Sequence, residues 1–285
     1  MQNLNALSAI ESLTGMEEFK SFCGRLSQTA ANARKLRLES IPLPNLIFAA
    51  EPGSGTTMHI RLLSELFREQ KLMRFMGEEA YFEWLLTDEQ ESINKLILRT
   101  KRAAGFYGEF RGVIGLDIGA LLAEREEVPP LARLMEYVAS QKGKILFVFT
   151  IPLKTAPEMQ KQLVGRFASY TPVELIHMPF PMEEAQYYVT DQLFSQGFDV
   201  SAAAQSILKQ AVRKTSESPN FEGYQTLQNL ADVIVWRKIS QLPPVDDRIT
   251  ESDVQFVLAP DGFCAVLNVH GVRTAMRRMG FGEGR

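Results

Sequence analysis

The sequence predicts an α/β protein in which a parallel five-stranded sheet lies between helices and is followed by a small all-helical domain. Two observations predict this arrangement. Short apolar runs alternate with segments whose apolar residues recur at helical spacing. Beyond residue 180 the strand-like runs stop and only the helical spacing continues. The predicted strands are residues 46–50, 81–86, 111–118, 144–150 and 173–178.

The N-terminal segment, residues 1–40, is predicted to be helical, with an interruption at residues 13–16. After the interruption, Phe19, Phe22 and Leu26 recur at the spacing of one helix face, which indicates a helix packed on the sheet. Two prolines, at positions 42 and 44, then lead the chain into the first strand.

The later strands carry polar residues where they end. The run at 111–118 is apolar up to Asp117, and the run at 144–150 is apolar up to Thr150. An uninterrupted apolar run is typical of a central strand in a parallel sheet, and ligands of open α/β sheets lie outside the carboxyl ends of the strands. The helices expected between these strands are residues 89–102, 129–141 and 159–167.

Three segments are expected along the chain. Residues 1–180 form the α/β domain, residues 181–260 the helical domain, and residues 261–285 a basic C-terminal tail. The change falls at a proline-rich stretch, residues 179–181, and a second linker is expected at Pro243 and Pro244. The helices predicted after residue 181 are residues 183–195, 202–215, 225–239 and 251–258.

Composition limits the class of protein. The formal net charge is −3, so the composition does not indicate the basic surface expected of a protein that binds nucleic acid. Cys23 and Cys264 fit no metal-binding spacing, so a reducing compartment is expected. The sequence contains no apolar run of about 18 residues, so no membrane span is predicted. The first residues do not resemble a signal peptide. The expected location is the cytoplasm, with no membrane partner.

The most informative stretch follows the first predicted strand. Compared with the phosphate-loop pattern G-x-x-x-x-G-K-[ST], residues 50–57 keep Gly55 and Thr57, but have Ala50 at the first glycine and Thr56 at the lysine. Backbone N–H groups in such a turn, together with the helix N-terminus, can bind an anion without side chains. The candidate nucleotide-binding residues are Pro52, Gly53, Ser54, Gly55, Thr56 and Thr57.

The missing lysine sets the expected chemistry. Loss of one charge-assisted hydrogen bond costs about 1.5–3 kcal/mol, and phosphoryl transfer loses more because lysine neutralises charge on the transferring group. The expectation is weak binding of ATP or ADP. The alternative, a glycine-rich turn between strand and helix with no ligand, remains open on this segment alone.

Asp117 is the candidate metal ligand, because an acid at the end of a strand beside a phosphate loop is where Mg²⁺ is held. An isolated Asp in that position is otherwise a helix cap or turn residue. The next residue is Ile118, which can neither take a proton nor orient water. His177 lies in the fifth predicted strand without a ligand pattern around it, and is interpreted as a structural histidine.

Taken together, these stretches resemble the core of an AAA+ ATPase, a P-loop NTPase-type fold with a helical lid domain. The branch they resemble holds bacterial sporulation stage V protein K and the red-type Rubisco activases. The likeness runs over residues 13–258. It rests on the opening segment at 13–20, the phosphate loop, the strand at 112–118, the segment at 163–167 and the lid from residue 183.

The resemblance implies roles for further residues. Thr14 and Gly15 would line the adenine pocket, Thr150 would take the place of the first sensor, and Arg166 would be an arginine finger acting on a neighbouring subunit. The chain departs from the family at four chemical positions: Thr56 for the lysine, Ile118 for the glutamate, Thr150 for asparagine, and no basic residue at 223–226 for the second sensor.

Because the fold pattern is intact while the site is altered, the first hypothesis is a degenerate AAA+ protein. It would act as a weak ATP-binding or non-hydrolysing scaffold or regulatory subunit, with other AAA+ subunits or a protein client as partners. The second hypothesis is a working ATPase in which Lys71, Lys101 or Arg111 replaces the missing cation. The third is a subunit resembling those of clamp loaders, associated with DNA.

Overall fold

A computed structural model describes residues 5–13, 15–38, 41–122, 131–218, 220–241 and 246–267, with residues 89–91 described by their backbone alone. Contacts between Cα atoms divide the chain into two compact units. The first contains Met1–Glu51 and Gly55–Pro179, and the second contains Pro52–Ser54 and Phe180–Arg285. The first unit therefore contains the predicted metal ligand, Asp117, the residue at the first-sensor position, Thr150, and the predicted arginine finger, Arg166.

The first unit contains one five-stranded sheet in which each neighbouring pair of strands is parallel. Its strands are β1 (Asn45–Ala50), β2 (Tyr81–Leu85), β3 (Gly112–Asp117), β4 (Ile145–Pro152) and β5 (Val173–Met178). Their order across the sheet is β2-β3-β4-β1-β5. All five strands lie at predicted positions, so this part of the fold prediction is confirmed.

The helices of the first unit are α1 (Ala6–Glu11), α2 (Glu17–Lys35), α3 (Thr56–Glu69), α4 (Glu89–Ala104), α5 (Gly119–Leu122), α6 (Ala132–Ser140) and α7 (Pro157–Ala168). A short 3₁₀ turn, Gly105–Tyr107, follows α4. Residues 123–130 lie outside the described residues. The predicted start, at residue 129, of the helix before the fourth strand therefore lies outside them as well.

Two apolar clusters cover the two faces of the sheet. Alternate residues of β1 enter different clusters: Ile47 packs with residues of α4, α6 and α7, and Phe48 packs with residues of α1, α2 and α3. All six residues of β1 are buried, as expected for a central strand of a parallel sheet. The first unit is therefore a three-layer sandwich of helices, sheet and helices.

The second unit has helices α8 (Met182–Ser195), α9 (Ala202–Ser216), α10 (Tyr224–Ile239), α11 (Glu251–Gln255) and α12 (Phe263–Leu267), with a 3₁₀ turn at Phe256–Leu258. It differs from the expected all-helical composition by a small parallel pair of strands, β6 (Asp199–Val200) and β7 (Arg248–Ile249). A third apolar cluster lies within this unit.

The helical packing extends past residue 260, where a tail was expected to begin. Cys264 on α12 is fully buried, and its Sγ lies 3.3 Å from Thr215 Oγ1. The expected basic tail around residue 277 and the linker at Pro243 and Pro244 lie outside the described residues. Within the described residues, no helix has both the length and the apolarity needed to cross a membrane.

Candidate functional site

The strand order places the end of β1 at the position where ligands bind in open α/β sheets. β1 and β4 are neighbours, but the chain leaves β1 toward β2 at one edge and leaves β4 toward β5 on the other side. Loops that leave adjacent strands in opposite directions open a crevice at the carboxyl ends. The loop with the phosphate-loop pattern therefore starts at this switch point.

Residues 45–69 run from strand through turn to helix, as the sequence predicts. Gly55 is the N-cap of α3 and has φ 79°, a left-handed conformation that a side chain would disfavour. A Cβ at Gly55 would meet nothing closer than 3.6 Å, so its glycine is needed for backbone conformation rather than for space.

Gly53, in contrast, is required by packing within the second unit. It has φ 75°, and a Cβ built on it would lie 2.0 Å from the carbonyl oxygen of Glu222 and 2.3 Å from Gly223 Cα. A glycine at this position therefore has a structural reason that involves no phosphate. This contact supports the open alternative in which part of the glycine-rich turn serves folding.

Two polar atoms, one in the turn before α3 and one in α3, are buried without a hydrogen-bond partner among the described residues. Ser54 is 1% exposed and its Oγ is unsatisfied, and His59 is 2% exposed with an unsatisfied Nε2. Buried polar atoms without partners are costly and call for a water molecule or a ligand.

His59 also fixes the backbone of the loop. Its Nδ1 lies 2.7 Å from the carbonyl oxygen of Gly55, which can only accept, so Nδ1 carries the hydrogen and Nε2 is a bare acceptor. The ring packs edge-on against Phe19, with ring centroids 4.8 Å apart. Burial lowers the pKa of His59, outweighing the hydrogen bond to Gly55, which acts in the opposite direction.

Thr57, predicted to bind a nucleotide, contacts an acid that the sequence analysis missed. Its Oγ1 donates a hydrogen bond of 3.1 Å to Glu83 Oε2 on β2. Burial raises the pKa of Glu83, the bond from Thr57 opposes this, and the nearby charge of Asp117 adds to it. Thr57 itself is exposed, and Thr56 is half-buried.

Asp117 lies at the same edge as this pair. In the sheet register it is opposite Leu85 on β2 and Thr150 on β4. Its side chain is exposed, and Oδ1 accepts a hydrogen bond of 2.9 Å from the backbone N–H of Gly119. That bond is the turn-capping role weighed as the alternative to metal binding, and it leaves the second carboxylate oxygen for another contact.

The fit of a magnesium ion can be judged from these donors. Thr57, Glu83 and Asp117 offer a hydroxyl and two carboxylates, the oxygen ligands that Mg²⁺ prefers. Among the described residues, no group of three or more His, Cys, Asp and Glu side chains is arranged to hold a metal by itself. A metal here would therefore need oxygens from a bound phosphate, as Mg²⁺ does in nucleotide sites.

Ile118 lies at the same ends of the strands as Asp117, which it follows directly, and it offers no polar group there. Ile118 is fully buried in an apolar cluster, so its side chain cannot act on water. Arg166 is half-buried in the last turn of α7, next to the amino end of β5. Thr14 lies outside the described residues, and Gly15 has φ 63° just before α2.

The three basic residues considered as replacements for the missing lysine lie at the amino ends of the strands, away from the candidate site. Lys71 follows the end of α3, Lys101 is in the last turn of α4, and Arg111 directly precedes β3. A six-residue strand spans about 20 Å, more than a lysine or arginine side chain can reach. Arg111 is also paired with Glu109 at 2.7 Å.

No protein-family model matches this chain, and no curated protein matches it either.

Proposed function

We propose that this protein binds a nucleoside triphosphate weakly at the N-terminus of α3 and does not hydrolyse it efficiently. It would serve as a scaffold or regulatory subunit of the AAA+ type, alongside other AAA+ subunits or a protein client. The observation that carries the proposal is the glycine turn after β1, which starts at the switch point of a five-stranded parallel sheet with Thr57 and Asp117 at the same edge.

Three features support weak binding in particular. The helix N-terminus and backbone amides supply the anion-binding groups, but Thr56 supplies no charge. Thr57 is already hydrogen-bonded to Glu83, so a metal ion would have to compete for the hydroxyl. Glu83 and Asp117 bring negative charge to this edge, which disfavours a phosphate unless a cation is bound as well.

Two features support the absence of efficient hydrolysis. Ile118 occupies the position after Asp117 and is buried, so it cannot orient an attacking water. The basic residues Lys71, Lys101 and Arg111 lie at the far end of the strands, which argues against the alternative in which one of these three replaces the missing cation. Arg166, near that far end, would act only on a neighbouring subunit.

Calorimetric titration of the full chain with ATP, with and without Mg²⁺, tests the proposal. We expect a Kd no tighter than tens of micromolar, given about 1.5–3 kcal/mol for the missing charge-assisted bond. Asp117→Asn should abolish any gain from Mg²⁺, whereas Asp191→Asn, an exposed Asp on α8, should not. No detectable binding at millimolar ATP would contradict the binding role.

Phosphate release measured at saturating ATP and Mg²⁺ tests the proposal that the protein does not hydrolyse ATP efficiently. Turnover on the order of one per second would overturn the non-hydrolysing role, because such a rate is ordinary for an enzyme. A salt-sensitive gel shift with duplex DNA would instead favour the DNA-associated alternative.

A further inference from the structure

The loop between β4 and α7, residues 153–156, runs directly beside the end of β1. The backbone N–H of Leu153 donates a hydrogen bond of 2.9 Å to the carbonyl oxygen of Ala50. In the register of the sheet, Ala50 pairs with Pro152. Ala50 is the last residue of β1, so this loop begins next to the turn that leads into α3.

Lys154 is the residue that this loop exposes. Its side chain is solvent-exposed and takes part in no hydrogen bond or ion pair with the described part of the chain. The chain leaves β4 on one side of the switch point and β1 on the other, so Lys154 borders the same crevice as the N-terminus of α3. Unlike Lys71, Lys101 and Arg111, it lies at the carboxyl edge of the sheet.

The backbone on both sides of Lys154 is held by one buried side chain. Gln160 on α7 is 7% exposed, and its Nε2 donates to the carbonyl oxygens of Leu153 at 3.3 Å and Thr155 at 2.8 Å. A single amide that binds the residues before and after Lys154 fixes the position of its Cα. The reach of the ammonium group is then set by the four-carbon side chain.

Gln160 is in turn held by a strand residue. Its Oε1 lies 3.2 Å from Nε2 of His177 on β5, and Nδ1 of His177 lies 3.2 Å from Glu18 Oε2 on α2. The backbone N–H of His177 donates to the same carboxylate oxygen at 2.8 Å. His177 therefore links Gln160 on α7 to Glu18 on α2 through the two nitrogens of one ring.

We propose that Lys154 supplies the positive charge to a phosphate group bound at the N-terminus of α3, in place of the lysine that Thr56 replaces. Gln160 is a positioning residue for Lys154, and His177 and Glu18 support it. The inference rests on the proposed function and names the residue of this chain that pairs with a polyphosphate ligand. A lysine acts there as a point charge, so binding gains while the missing water-orienting group is not restored.

The test is calorimetric titration of full-length variants with ATP and with inorganic tripolyphosphate, at low and moderate salt. We expect Lys154→Ala to weaken both affinities about tenfold, the effect of one charge-assisted hydrogen bond at its lower limit. The salt dependence of binding should fall with it. Lys161→Ala is the matched control, because Lys161 is an exposed lysine of α7 already paired with Glu158 at 3.0 Å, and it should leave both affinities unchanged.

A double-mutant cycle tests the positioning role of Gln160. Gln160→Ala should weaken ATP binding in the wild-type background and have no further effect in Lys154→Ala, because it acts only through Lys154. Circular dichroism and thermal melts of each variant identify any that fail to fold, and Lys154→Gln, at an exposed position, provides a second variant that removes only the charge.

The outcomes separate this inference from the proposed function. Wild-type binding that Lys154→Ala and Lys154→Gln leave unchanged overturns the role of Lys154 and keeps the nucleotide-binding role. Wild-type protein that binds neither ATP nor tripolyphosphate overturns both. Additive losses in the double-mutant cycle overturn the positioning role of Gln160.

Discussion

Thr57 Oγ1 and Glu83 Oε2 are 3.1 Å apart, and this hydrogen bond ties the first turn of α3 to β2. The contact is made possible by Gly115 on β3, which is opposite Glu83 in the sheet register. It places a carboxyl group beside the first turn of α3, and it affects both the stability of the fold and the charge at this end of the strands.

The first prediction concerns Glu83→Gln. Burial raises the pKa of Glu83 from its ordinary value of 4.5, so its contribution to stability is fully present below that value and is lost as the pH rises through the folded-state pKa. The neutral amide should therefore raise the melting temperature at pH 7, and this gain should shrink toward pH 4. Gln also keeps an acceptor for the Thr57 hydroxyl.

Thermal melts of wild type and Glu83→Gln across this pH range check the prediction. Glu65→Gln is the matched control, since Glu65 is an acid of α3 in a loose pair with Arg61 at 4.0 Å. A gain at pH 7 that equals the gain at pH 4 would contradict the effect of burial on Glu83.

The second prediction concerns Gly115→Ala. A Cβ at Gly115 would lie 2.8 Å from Glu83 Cγ and 2.8 Å from Ile60 Cδ1, so the glycine allows α3 to approach the sheet. The added methyl group should lower the free energy of unfolding by about 1–3 kcal/mol, the usual cost of overpacking.

Urea unfolding of Gly115→Ala measures this loss, and Gly165→Ala provides a control of opposite sign. Gly165 is in α7, and a Cβ built there meets nothing within 4 Å. The control should gain about 0.5–1 kcal/mol, because glycine is a poor residue within a helix. Equal effects in the two variants would show that space at Gly115 is not the cause.

The centre of the sheet could be predicted from the sequence because β1, β3 and β4 are buried on both faces. A strand such as β1, with six buried residues, leaves an uninterrupted apolar run that needs no tertiary information to recognise. Asp117 and Thr150 could likewise be predicted at the carboxyl edge, because each follows such a run directly.

The rest of the site depends on contacts between segments distant in the chain. Glu83 was missed because it lies within the apolar run of β2, 26 positions from Thr57, and only the packing of α3 over Gly115 brings the two together. Lys154 was missed because its place beside Ala50 follows from the strand order, with β4 next to β1. A single sequence determines neither the order of strands nor the register between them.

The third prediction concerns His59→Phe, which keeps an aromatic ring beside Phe19 and removes the hydrogen bond to Gly55. Burial lowers the pKa of His59 below 6.5 in the folded protein, so its contribution is present above that pH and is lost as the pH falls through the folded-state pKa. At pH 8 the variant should be less stable by about 1 kcal/mol, the net worth of one hydrogen bond.

The difference in the free energy of unfolding between wild type and His59→Phe should narrow as the pH falls to 5. Only wild type is destabilised there, because it must protonate a buried imidazole. Urea unfolding at both pH values measures this difference. His177→Asn is the comparison variant: it leaves His59 in place and should keep the loss of stability at low pH. A constant difference between wild type and His59→Phe would contradict the assignment of the acid effect to His59.

The fourth prediction concerns the buried ion pair of the second unit. Lys238 on α10 is 5% exposed and its Nζ lies 3.2 Å from Asp253 Oδ2 and 2.6 Å from Asp246 Oδ1. Asp253 is 1% exposed and also accepts hydrogen bonds from the backbone and hydroxyl of Thr250 and from Gln241. This cluster joins α10 to the start of α11.

Lys238→Met should lower the free energy of unfolding by about 3 kcal/mol, because it leaves a buried carboxylate without its cation. Burial alone would raise the pKa of Asp253, but its hydrogen bonds with Thr250, Gln241 and Lys238 outweigh burial and lower it. The stability from Asp253 is therefore present above its unfolded-state pKa and is lost as the pH falls through the folded-state value. Lys238→Met removes part of this dependence, so its loss should be smaller at acid pH than at pH 7.

Urea unfolding at pH 7 and at acid pH checks both statements. Lys209→Met, at an exposed lysine of α9, is the matched control and should change stability by less than about 0.5 kcal/mol. The cluster lies in the second unit, which also contains Trp236 on α10. With Trp236→Phe in the background, the fluorescence of Trp84 on β2 reports on the first unit alone and separates a local loss from a global one. A loss at acid pH as large as the loss at pH 7 would show that the charge of Asp253 is not what Lys238 compensates.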